Sequence, residues 1–232
     1  MVSLPVSLPV RIAGVLRAPR RTFEAIARAP RWADVLIVSF LATAPLTAVV
    51  LQTEVGHLAL LDRLERTATA FGQRVDDAQY ARLERVSEHG AAYAIVTSLV
   101  SGPLLAAGLS AVLFVVFRAV AGGGATFHQV LAVVSHAGVI LALRQLLTAP
   151  VTYLRETLAS PLTLNLFFSM LDEASPLARF AGIVDFLVIW WVVVLAIGAS
   201  VLYRRPFRRL ALAFVGVYLL LAVALGVVMA IV

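Results

Sequence analysis

The chain has 232 residues, 61% hydrophobic and 14% charged, against about 25% charged in an average globular domain. That composition defines an integral membrane protein with room for about four to six spans, and it excludes a separate soluble catalytic module. The net charge of +6 is within what membrane topology alone produces, so nucleic acid is not implied as a partner, and the absence of cysteine excludes disulfides, thiolate metal sites and cysteine nucleophiles.

Residues 10–31 open the chain. Ile12, Leu16, Phe23 and Ile26 form one apolar stripe at helical spacing, and Arg11, Arg17, Arg20, Arg21, Arg28 and Arg31 occupy much of the remainder. A basic amphipathic helix of this kind lies in the headgroup plane and is drawn to anionic lipid at the cytoplasmic face. The same arginines also serve simply to fix topology. Thr22 is a candidate cap for a second short helix after Pro19.

The first span covers 32–51. Its basic preamble is too long for a signal-peptide n-region, so it reads as uncleaved. Residues 52–90 are polar, with seven acids and five arginines. They predict a helical hairpin on the membrane face, its second helix starting near Asp76 and Asp77. The second span covers 91–117, where Ala94, Ser98, Gly102, Ala106 and Ser110 form a ridge of small residues suited to close helix packing. Pro103 predicts a kink there. After a glycine turn at 122–124, Thr126 is a candidate N-cap for the third span, 127–149, which contains His136 and Arg144. Residues 162–171 are apolar but too short to cross, and read as interfacial or re-entrant. The fourth span covers 180–203 and the fifth 207–232.

The expected fold is therefore all-α, a polytopic bundle of five transmembrane helices. It divides into a cytoplasmic amphipathic segment (1–31) and a transmembrane domain (32–232). The N-terminal segment and the turns at 118–127 and 204–209 hold six, one and four arginines, and 150–179 holds two. This places the N-terminus in the cytoplasm and the C-terminus outside.

Inside the fourth span Asp185 stands alone among apolar residues, at a cost of about 2.5 to 3.5 kcal/mol on insertion scales. The topology puts Arg144 at nearly the same depth, which predicts a buried Arg144–Asp185 pair. His136 lies eight residues before Arg144 on nearly the same face. One reading makes the three a proton or ion path, the other a lock between the third and fourth spans. The lock is preferred, because relays need titratable groups through the full membrane depth. HExxH, GxSxG and ligand-spaced His/Asp/Glu clusters are absent from the sequence. No enzymatic activity, metal or cofactor is expected.

Asp185-Phe186, Ile189-Trp190, Leu195 and Ile197-Gly198 resemble the characteristic stretch of the Ypt-interacting protein (YIP) family of five-span membrane proteins. That pattern is approximately D-x-F-x-I-W, a leucine-rich run and a glycine; here the phenylalanine follows the aspartate directly and Trp191 is added. Pro19-x-x-Thr22-Phe23-x-x-Ile26-x-x-x-Pro30, and the glycine turn leading to Thr126-Phe127-x-Gln129-x-Leu131, are also similar to the family. The resemblance implies a five-helix membrane domain whose eukaryotic relatives associate with Rab-type GTPases in secretory traffic. The short N-terminal region and the all-arginine basic residues look like a prokaryotic member, located in the cell membrane, where a Rab partner would not exist. The family supplies no catalytic residues to carry over.

Two functional readings result. The first is a non-enzymatic membrane protein acting through association with lipid, or with a membrane or cytoplasmic protein partner. The alternative is a small transporter or lipid-translocating protein built on His136, Arg144 and Asp185. A cavity reaching those residues would favour the second.

Overall fold

The structure, a computed structural model, describes residues 7–70, 72–122, 124–154, 161–167 and 176–231. Among them are eleven α-helices and no β-strand. The N-terminal segment forms α1 (Leu8–Arg17) and α2 (Pro19–Arg28), followed by α3 (Ala33–Leu51). Next come α4 (Glu54–Ala70), α5 (Asp77–Glu88) and the long α6 (Gly90–Ala121). Then follow α7 (Phe127–Ala137), α8 (Val139–Leu154), α9 (Pro176–Ile183), α10 (Phe186–Tyr203) and α11 (Phe207–Ile231). Five segments are long and apolar enough to cross a membrane: Ala33–Leu51, Gly90–Val120, Phe127–Val151, Phe186–Tyr203 and Phe207–Val227. The third is α7 and α8 together. Gly138 interrupts it only locally, because its N–H still bonds the Val134 carbonyl and its own carbonyl accepts from Ala142.

Local chemistry explains several boundaries. Thr126 and Gln129 make a capping box: Gln129 N–H donates to Thr126 Oγ1, and Thr126 N–H donates to Gln129 Oε1. Asp76 caps α5 by accepting from Gln79 N–H at 2.8 Å. Thr22 caps nothing. Proline at the first position starts α2, so Thr22 falls inside the helix and its hydroxyl donates back to the Ala18 carbonyl. Pro103 sits within α6, a helix of 32 residues that is continuous on both sides of it.

The fourth span starts later than the hydropathy predicts. Residues 180–183 belong to the separate α9, and the chain leaves helical geometry at Val184 and Asp185. There it pairs in antiparallel fashion with Thr163, with Phe186 N–H donating to the Leu162 carbonyl and Leu164 N–H to that of Val184. Hydropathy does not register such a break, because both sides of it are equally apolar. The apolar segment 162–171 is described only to Phe167, with a 3₁₀ turn at Leu164–Leu166; its remainder lies outside the described residues.

The chain divides into two compact units. The first comprises 1–41, 100–143 and 187–218. Its core joins Val15, Phe23 and Ile26 of the N-terminal helices to Val130, Leu131, Val133 and Val134 of α7 and to Val194 and Leu195 of α10. The second comprises 42–99, 144–186 and 219–232. Its core contains Ala48 and Leu51 of α3, Leu60 of α4 and Ala94 of α6. Gly90 is required there: a Cβ would meet the Leu51 backbone carbonyl oxygen at 2.6 Å. In the same unit α4 packs along α5, forming the hairpin read from residues 52–90.

The two units differ sharply in charge. The first carries eleven arginines against two acids, Glu24 and Asp34; the second carries eight arginines against eleven acids.

Candidate functional site

Two buried polar clusters stand out, one in each unit. In the first, α1 directs Arg11 inward, so the residue is 4% exposed and does not belong to the surface arginines. It pairs with Asp34 at the start of α3, and its Nη1 donates to His136 Nε2 at 3.0 Å. The His136 ring is fully buried, and its Nδ1–H donates to the Ala132 carbonyl at 2.7 Å. That carbonyl fixes the proton on Nδ1, so Nε2 is the acceptor for Arg11. The arrangement ties the N-terminal segment to α7, a tie repeated where Gln129 Nε2 donates to the Ala27 carbonyl at 2.9 Å. Arg17, Arg20, Arg21, Arg28 and Arg31 remain exposed. Arg11 differs because it lies on the same helical side as Val15, which is buried in the core.

In the second unit Arg144 Nε donates to Asp185 Oδ2 at 2.7 Å. Asp185 is 3% exposed, and the Arg144 side chain keeps about a quarter of its surface. Asp185 is the residue immediately before α10, a position where a carboxylate also suits the positive end of the helix. Nearby, Gln145 Nε2 donates to Thr47 Oγ1 at 3.1 Å, a polar tie between α8 and α3. Helical spacing groups His136 with Arg144 and Asp185. The structure bonds His136 to Arg11 in the first unit, and pairs Arg144 with Asp185 in the second.

The small-residue ridge is only partly covered. Ala94, Ala106 and Ser110 are buried and Ser98 is half-buried, but Gly102 is exposed and a Cβ there would meet nothing within 4 Å. Leu104 and Leu105 beside it are also exposed, and among the described residues no side chain or backbone atom closes on Gly102.

One cavity of about 580 Å³ lies against α5 and the start of α6, lined by Arg82, His89 and Tyr93 among others. Another of about 440 Å³ lies between α2, the turn before α7 and the end of α10. Neither is lined by His136, Arg144 or Asp185. Among the described residues no group of three or more His, Cys, Asp or Glu is placed to hold a metal ion.

The three stretches singled out in the sequence converge in the first unit. Gly198 of α10 abuts Val133 of α7, where an added Cβ would collide with a Val133 methyl, and Phe23 of α2 lies 3.5 Å from the same point. Leu131 and the partly buried Trp190 and Trp191 belong to that core. Aromatic residues in the first turns of α10 and a glycine where α2 and α7 approach thus belong to one packing unit. Five apolar helices crossing a bilayer, joined to amphipathic N-terminal helices, define a multi-pass helical membrane protein. The Yip1 domain family model matches residues 13–230, and the chain belongs to that family. No curated protein and no solved structure matches the chain.

Proposed function

We propose that the protein is non-enzymatic and works by association: its arginine-rich first unit faces the cytoplasm and engages the anionic leaflet, and a protein partner, while the spans anchor it. The observation that carries this reading is the excess of eleven arginines over two acids in that unit, with five N-terminal arginines and all four at 204–209 exposed. Clustered arginine next to spans is favoured on the cytoplasmic side, and each adds about 1 kcal/mol of attraction to an anionic surface. In this orientation five crossings leave the C-terminus outside. The ionic clusters act as locks between helices, each charged group being held by a partner in its own unit.

The test is reconstitution in vesicles of mixed phosphatidylglycerol and phosphatidylcholine, followed by extraction of polymer-bounded discs. The expected result is anionic lipid enriched around the protein, the enrichment falling with salt, and no ion or labelled-lipid flux above empty vesicles. Flux without enrichment would overturn the reading.

A further inference from the structure

We propose that the 440 Å³ cavity of the first unit is a binding site for the phosphate of an anionic phospholipid headgroup, held by Arg28 and Arg204. Its size is in the range of small-ligand sites. Arg28 ends α2, and its Nε donates to the Glu24 carbonyl at 3.0 Å, which fixes the guanidinium and leaves its two terminal nitrogens for a ligand. Glu24 itself pairs with Arg20. Among the described residues neither Arg28 nor Arg204 has a carboxylate partner. Two unpaired guanidiniums on one small cavity match the oxygens of a phosphate.

Two further observations belong to the same place. Arg204 has φ of +50°, the one positive φ at a non-glycine among the described residues. The position just past a helix often takes this conformation, but usually with Gly or Asn; an arginine held there is strained, and such strain gathers at ligand clamps. Tyr203 also lines the cavity. Its ring is stacked on Phe117 at 4.2 Å, which holds this end of α10 in place beside the cavity.

Depth identifies the source of the phosphate. Tyr203 is the last residue of the apolar span Phe186–Tyr203, and Arg204 is the first beyond it, so the site lies at headgroup level. Leu202 and Val201 supply the apolar wall on which the glycerol backbone and upper acyl chain rest.

The inference rests on the lipid-association reading and sharpens it to one site, and the experiment separates the two. Full-length protein in neutral-detergent micelles is titrated with phosphatidylglycerol, phosphatidylcholine and inorganic phosphate, and the apparent Kd is read by native mass spectrometry or thermophoresis. The variants are Arg28→Gln/Arg204→Gln, Tyr203→Phe, and the charge-matched control Arg208→Gln/Arg209→Gln, which alters exposed arginines outside the cavity. Losing two charge-assisted contacts predicts a loss of about tenfold or more in phosphatidylglycerol affinity for the first variant. Neutral micelles present no anionic surface, so the per-arginine attraction of a charged leaflet does not operate and the control should lose under about threefold. Tyr203→Phe keeps the stacking and removes only a hydroxyl that does not reach the cavity, so it should leave the affinity unchanged. Equal losses in cavity and control variants would overturn the site while leaving general anionic-lipid attraction intact. Inorganic phosphate competing as well as the lipid would overturn the lipid assignment. No preference of the wild type for phosphatidylglycerol over phosphatidylcholine would overturn both readings.

Discussion

Arg11→Met keeps the length and apolar stem of the side chain while removing the guanidinium that serves both Asp34 and His136. The two losses differ in size. His136 is fully buried, so its Nε2 has no water to turn to, and a charge-assisted bond of this kind is worth about 1.5 to 3 kcal/mol. The Asp34 side chain is about a third exposed and rehydrates, which leaves its share nearer about 1 kcal/mol. The expected destabilisation is therefore about 2 to 4 kcal/mol, at or just below what breaking a buried ion pair costs. The assay is unfolding in mixed micelles by titration with a denaturing detergent, followed by fluorescence of Trp190 and Trp191, which pack on the same core. Arg17→Met, at an exposed position, should stay within about 0.5 kcal/mol of wild type. Adding His136→Leu to Arg11→Met removes the orphaned acceptor and should recover at least half of the loss, since an apolar substitute for a buried polar cluster is often neutral. An Arg11→Met protein as stable as wild type, or a double variant with the full loss, would refute the reasoning.

Two further substitutions probe the other contacts. Gly198→Ala forces a methyl onto Val133, whose branched side chain has little rotamer freedom in a helix. The overpacking should cost about 1 to 3 kcal/mol, and Val133→Ala should relieve it, read as a favourable coupling in a double-mutant cycle by the same unfolding assay. The Arg144–Asp185 pair should respond asymmetrically. Arg144→Gln removes an ion-pair partner of a buried carboxylate and should cost up to about 3 to 5 kcal/mol. Asp185→Asn keeps a good N-cap residue and leaves an arginine free to reach outward, so it should cost about half as much or less; equal costs would count against this account.

The spans were legible because length and hydropathy are properties of contiguous residues, and five such segments are present. The juxtaposition of Arg144 and Asp185 follows from depth, which a topology read from arginine placement supplies. The Arg11 cluster was not legible. Its partners lie 23 and 125 residues away, and a basic amphipathic helix has the same sequence pattern whether one arginine faces headgroups or a buried acceptor. The available hint was Asp34, an acid at the start of a span and so itself in need of a partner. The break at Val184 and Asp185 was hidden for another reason. It is made by backbone pairing with Leu162, Thr163 and Leu164, and hydropathy reports nothing about where a carbonyl finds its donor.

The 125-residue separation of Arg11 and His136 also sets a schedule for assembly. A ribosome adding about 5 to 20 residues per second reaches His136 roughly 6 to 25 s after Arg11. During that interval the first span has entered the bilayer while the groove that takes α1 and α2 does not yet exist. The N-terminal helices cannot take their final place until α7 is made and offers the imidazole. The earliest part of the chain to be made is thus among the last to be seated, and a nascent chain arrested before residue 136 would display Arg11 to solvent and proteases.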